Sequence, residues 1–239
     1  MAPLQRPKGL GMALKDDLTT TVRRIFADPW TTRDGQVVPE AENLGLGNDG
    51  VKLDGTVLYA DLSASTALVD TKTASFSAEV YKAYLHCAAK IIRSEGGSIT
   101  AYDGDRVMAV FIGGSKNTNA ARAALKINWA VRDLINPLLA SQYPSANYQV
   151  KQTVGVDTSS LLVARTGIRG SNDLVWVGSA ANHAAKLCSL SPDFPTRISS
   201  AVYSMLHHSL KHTDNRPMWQ EATWNGATIY RSTWWWPIG

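Results

Sequence analysis

Two stretches of helical periodicity, each bracketed by short β-prone runs, limit the folds open to this chain more than any other feature. Over residues 76–93, Val80, Tyr84, Cys87, Ala88 and Ile91 share one helical face, and Gly96 and Gly97 supply a stop. Over residues 119–139, Ile127, Val131, Leu134 and Leu138 repeat the pattern. Before the first helix, residues 56–60 are apolar and β-prone and end at Asp61, followed by small hydroxyl residues, as a buried central strand entering a loop would. Between the helices, residues 98–102 and 106–112 read as strands around a turn at Asp103-Gly104. After the second helix, residues 148–157 and 161–164 read as a strand pair. The order is βαββαβ, which predicts an α+β, ferredoxin-like sandwich with helices on one face of an antiparallel sheet. That fold by itself assigns no activity.

Outside this unit, Leu14, Leu18, Val22 and Ile25 predict an amphipathic helix over residues 13–27, and residues 34–50 read as a connecting loop. The expected division is therefore residues 1–50 as helix and loop and residues 51–239 as the main domain. Helices near 180–190 and 201–210 and a terminal hairpin at Asn225-Gly226, before Trp234, Trp235 and Trp236, complete the reading. The chain has 239 residues, 44% of them hydrophobic, enough for one ordinary core. No apolar run reaches a membrane-spanning length and residues 1–17 lack a signal-peptide centre, so the expectation is a cytoplasmic protein with no membrane insertion. Cys87 and Cys188 are too few for a disulfide framework or a paired zinc site. The formal charge of +4 comes without a dense basic run, which argues against nucleic acid as a partner.

Asp61 ends the first strand and Asp105 sits in the turn of the following hairpin. If those strands are neighbours, the carboxylates converge, and hard oxygen ligands of this kind suit Mg²⁺ or Mn²⁺ bound together with phosphates. Ser63, Ala64, Ser65 and Thr66 are small residues ahead of a helix start, whose backbone N–H groups suit a triphosphate. The plain alternatives are a helix cap and an ordinary turn aspartate.

Together these segments resemble the class III adenylate and guanylate cyclases. LYADLSAST is similar to the family's first metal motif, GDRVMAVF to its second, TVGVDTSSLLVAR to its Gly-Ile-His-Thr-Gly segment and WVGSAANHAAKL to its last catalytic helix, in the family's order over residues 52–192. The resemblance implies a cyclase that uses two divalent metal ions, Mn²⁺ or Mg²⁺. Asp61, Asp105 and the Leu62 carbonyl would be ligands. Asn182 would orient the ribose, and Lys186 would take the place of the arginine that stabilises the transition state. Lysine there is a point charge rather than a fork. Asn182 and Lys186, four apart, share a helical face. The resemblance also implies a head-to-tail homodimer in which one subunit supplies the aspartates and the other supplies Asn182 and Lys186. The terminal hairpin lacks the lysine with which many relatives contact phosphate, and Arg165, Arg169 and Arg231 are the candidates to replace it.

The positions that read a purine base in relatives are occupied here by Ala101 and Val175, so the purine code is absent. Tyr59, Tyr102 and Trp176 would narrow the pocket towards a single ring, or serve only as core aromatics. This departure resembles the bacterial pyrimidine cyclases of Pycsar antiphage defence. It implies a nucleoside triphosphate substrate, UTP ahead of CTP, and a separate effector that responds to the cyclic nucleotide. An ATP or GTP cyclase with unusual base contacts, and a degenerate nucleotide-binding module without turnover, are the competing readings.

Overall fold

The computed structural model describes residues 8–239. Helix α1 (Lys8–Ala27) and strand β1 (Thr31–Asp34) lead to β2 (Asp49–Leu62), α2 (Ser65–Thr71) and α3 (Ala74–Ser94). A hairpin of β3 (Ser98–Asp103) and β4 (Arg106–Phe111) precedes α4 (Lys116–Trp129), a π-helical turn at Ala130–Ile135, and α5 (Asn136–Gln142). The hairpin of β5 (Gln152–Ile168) and β6 (Ser171–Val177) runs into α6 (Ser179–Cys188), β7 (Thr196–Ser199) and α7 (Ser200–Ser204). Two small hairpins follow, β8 (His212–Thr213) with β9 (Arg216–Pro217), and β10 (Gln220–Trp224) with β11 (Ala227–Ser232).

Neighbouring strands run β10-β11-β7-β5-β2-β4-β3. Four of them, β5-β2-β4-β3, are antiparallel and form the ferredoxin-like core that the βαββαβ order predicts. Alternation along the strands then assigns each side chain to a face. Leu58, Ala60 and Leu62 of β2, with Val107, Ala109 and Phe111 of β4, enter the large core under α3 and α4. Val57 of β2 and Met108 and Val110 of β4 point the other way, where Ala180, Ala181 and Ala184 of α6 cover them. Truncating a fully buried core residue such as Leu58 or Leu125 to Ala would cost roughly 2–5 kcal/mol. The chain reaches the second face with small residues. A Cβ on Gly155 would lie 2.2 Å from the Ala184 carbonyl oxygen and 2.6 Å from the Cys188 nitrogen, so glycine is what lets α6 lie directly on β5.

Several boundaries differ from the sequence reading. Residues 148–164 are not a strand pair, because β5 is one strand of 17 residues. Thr158, Ser159 and Ser160, which resemble a turn, stay in the ladder opposite Thr56, Gly55 and Asp54, and the Thr158 hydroxyl donates to the Gly55 carbonyl. The second long helix widens into a π turn before Pro137, which has no N–H to continue the α-helical ladder. The β3–β4 turn falls on Gly104-Asp105, one residue later than expected, with Gly104 at φ 60. Leu14, Leu18, Val22 and Ile25 of α1 are exposed, and the Asn48 side chain ties the helix end down through the Ile25 and Asp28 carbonyls.

The tryptophan-rich tail is latched onto α4. The Trp236 N–H donates to the Leu125 carbonyl, the Asn128 side chain donates to the Trp234 carbonyl, and Arg132 stacks 3.3 Å over Trp235. No described helix is long and apolar enough to cross a membrane.

Candidate active site

Register brings the acidic residues together. Asp61 is paired with Arg106 across β2 and β4, and Asp105 precedes Arg106 in the turn, so both carboxylates lie at one end of the sheet. Arg106 Nη2 donates to Asp61 Oδ2 at 3.1 Å. Burial raises the Asp61 carboxyl above its usual range, Arg106 opposes that shift, and the neighbouring Asp105 charge adds to it. Asp105 Oδ2 is buried with no hydrogen-bond partner. Two carboxylates at one end of the sheet, one with a buried, unsatisfied oxygen and the other held by a single guanidinium bond, have spare capacity for a hard cation, so the donor set fits Mg²⁺ or Mn²⁺. Among the described residues no group of three His, Cys, Asp or Glu side chains gathers anywhere.

Asp61, Leu62, Ser63–Thr66 and Arg106 line a cleft of about 360 Å³ together with Thr153 and residues 188–192, whereas Asp105 lies outside that lining. Ala64 adopts the left-handed conformation (φ 60, ψ 33) at the entry to α2, a strained setting for a residue with a side chain. The Ser63 N–H is taken by the Lys151 carbonyl.

Asn182 and Lys186 do not line this cleft. Both are exposed on α6. Lys186 opens onto a separate cleft of about 520 Å³ with Asp157, His183, Ser199, Trp224 and Thr228. There His183 Nδ1 lies 3.1 Å from buried Asp157 Oδ2, and the His183 ring meets Trp224 edge to face. One chain therefore holds the two groups of residues apart.

The base-pocket residues divide similarly. Tyr59 and Ala101 join Met108 and Trp176 in the apolar cluster on the α6 face, and burial raises the Tyr59 phenol above its usual range. Tyr102 does not join them. The register shift between Ile99 and Ala101 leaves it 56% exposed, in a cleft beside His86 and Arg93 of α3. Val175 is exposed on β6, whereas the adjacent Trp176 turns inwards. Of the proposed replacements for the missing lysine, Arg165 donates to Asn172 and to the Leu44 carbonyl, Arg231 stacks 3.9 Å from the Phe194 ring centre, and Arg169 sits exposed in the β5–β6 turn. The sequence reading missed Arg106, whose place next to Asp105 was visible but whose position opposite Asp61 depends on the β2–β4 register. It also missed the His183–Asp157 pair, whose only signal was an acid inside an apolar strand.

No protein-family model matches the chain. Its structure superposes on that of the guanylyl cyclase Cya2 with a TM-score of 0.65 at 18% sequence identity, covering 77% of this chain and 93% of that one. The same fold recurs in solved bacterial adenylyl cyclases. The architecture is that of a class III nucleotide cyclase catalytic domain. In sequence, the chain is 53% identical over 231 residues to a uridylate cyclase of Xanthomonas perforans, covering 95% of this chain and 100% of the relative. It is 51% identical over 231 residues to a uridylate cyclase of Burkholderia cepacia, with the same coverage. The chain belongs to the uridylate cyclase family.

Proposed function

We infer that this protein converts UTP to 3′,5′-cyclic UMP and pyrophosphate at sites shared between two copies of the chain. The observation that carries the reading is the separation just described. The Asp61 cleft and the adjoining Asp105 turn have unsatisfied acidic oxygen but no ribose-orienting group, and the Asn182–Lys186 face has donors but no pair of carboxylates. In a two-fold dimer each incomplete surface meets its complement twice.

In this scheme Asp61 and Asp105, with the Leu62 carbonyl, hold two divalent cations. When bound, these supply Lewis-acid charge to the phosphates and lower the pKa of the ribose 3′-hydroxyl. With the Ser63 N–H bonded to Lys151, the N–H groups of Ala64, Ser65 and Thr66 are the donors offered to the triphosphate. Asn182 of the partner subunit orients the ribose, and Lys186 of the partner subunit places positive charge against the α-phosphate as the 3′-oxygen attacks in line and pyrophosphate departs.

Tyr59, Ala101 and Trp176 pack together on an apolar cluster, the positions that read a purine in relatives carry Ala101 and Val175, and the bulk of Tyr59 favours a single-ring base. This cluster and the names of the relatives favour UTP, with CTP second. As in the Pycsar systems the sequence resembles, the product serves as a signal to a separate effector in antiphage defence. Incubating the purified protein with each nucleoside triphosphate and Mn²⁺ tests the activity. Cyclic UMP is the expected main product, and cyclic AMP in its place would overturn the pyrimidine assignment.

A further inference from the structure

Among the described residues lining the acidic cleft, Arg106 is the only cation, and it shares that cleft with Ser63–Thr66. It stands opposite Asp61 because strand register puts it there. The ion pair is single-pronged, Nη2 to Oδ2 at 3.1 Å, and the Arg106 Nε is buried without a partner. A guanidinium with part of its donor fork unused, beside a carboxylate that is itself a candidate metal ligand, is only partly satisfied by its present contact.

We propose that Arg106 is a triphosphate-binding residue that rests on Asp61 in the absence of metal and nucleotide and transfers to a phosphate oxygen when divalent cations take the carboxylate. The proposal deepens the cyclase reading and rests on it. A guanidinium and a divalent cation on one carboxylate repel each other, so filling the metal site drives Arg106 off Asp61. The departing side chain remains in the same cleft as the Ser63–Thr66 loop, where a phosphate gives its fork two oxygens at once. Arg106 thus supplies the phosphate contact that the terminal hairpin lacks, while Arg165 and Arg231 are occupied elsewhere.

Two binding measurements that need no turnover test this on wild type, Arg106→Met, Arg106→Lys and Asp105→Asn. One is Mn²⁺ binding to nucleotide-free protein by electron paramagnetic resonance. The other is binding of inorganic pyrophosphate at saturating Mn²⁺ by calorimetry. Arg106→Met should bind Mn²⁺ about tenfold more tightly, because the competing cation is gone. It should bind pyrophosphate roughly 10- to 100-fold more weakly. Arg106→Lys, which keeps the charge without the fork, should fall between wild type and Met in both assays and guards against a Met variant that folds poorly. Weaker Mn²⁺ binding in a folded Arg106→Met protein would make Arg106 a mere brace for Asp61, and unchanged pyrophosphate binding would remove its phosphate role. Either result overturns the proposal while Asp105→Asn still loses Mn²⁺. If Asp105→Asn binds Mn²⁺ like wild type, the metal centre itself is wrong and the proposal falls with it.

Discussion

The sheet end carrying Asp61 and Asp105 gathers its side chains by strand register, with buried acidic oxygen and one ion pair. The Asn182–Lys186 face, by contrast, displays its polar groups to solvent on a helix whose buried side is Ala180, Ala181, Ala184, Leu187 and Cys188. The acidic cleft is pre-organised and short of positive charge; the helical face is rigidly mounted and short of a target. Under the shared-site reading, the contrast teaches that catalysis would depend on bringing two separately built surfaces together, with the Arg106 side chain as the part that changes partner.

The sharpest way to break that contrast is to disable each surface separately. Asp105→Asn should lower cyclic nucleotide formation by on the order of a thousandfold, since cation charge at the phosphates is worth several kcal/mol. Lys186→Ala should lower it by on the order of a hundredfold. Mixing the two variants in equal amounts should restore about a quarter of wild-type activity, because half the dimers then carry one intact site of two. A mixture no more active than its better component would refute the shared site.

A smaller effect separates the surfaces by stability. Gly155→Ala should cost about 1–3 kcal/mol in thermal unfolding, because the new methyl group must displace α6. Turnover should fall with it, while Mn²⁺ binding at Asp61 and Asp105 persists. Equal loss of both would show that the surfaces are mechanically one.

The mildest expectation concerns pH. Burial raises the Asp61 carboxyl, so the folded chain binds that proton more tightly than the unfolded chain does. The stability this contributes is present below the ordinary aspartate range, near 3.9, and is lost as pH rises through the raised value. Acidification into that window should therefore stabilise metal-free protein relative to Asp61→Asn while increasing the Mn²⁺ needed for half-maximal rate. Parallel melting curves for the two proteins across that range would remove Asp61 as the cause.

Much of this was legible before any coordinates. Apolar periodicity located the core helices and strands because burial on one face leaves a repeating trace, and Asp61 stood out because it ends such a run. What stayed hidden depends on partners distant in sequence. Arg106 gains meaning only once β2 and β4 are paired in register. The unbroken course of β5 through Thr158–Ser160 depends on the ladder to Gly55, which local turn propensity cannot see. Tyr102 left the base-side cluster because a one-residue register shift in β3 reverses the face a side chain takes.

The backbone contact at Gly155 has a further consequence. With no spacer between α6 and the strand beneath it, the helix has no room to rock, and Asn182 and Lys186 keep a fixed bearing relative to the sheet. If the sites are shared as proposed, on-off control of catalysis would act on the docking angle between copies, as a pair of jaws is adjusted at the hinge and not at the teeth.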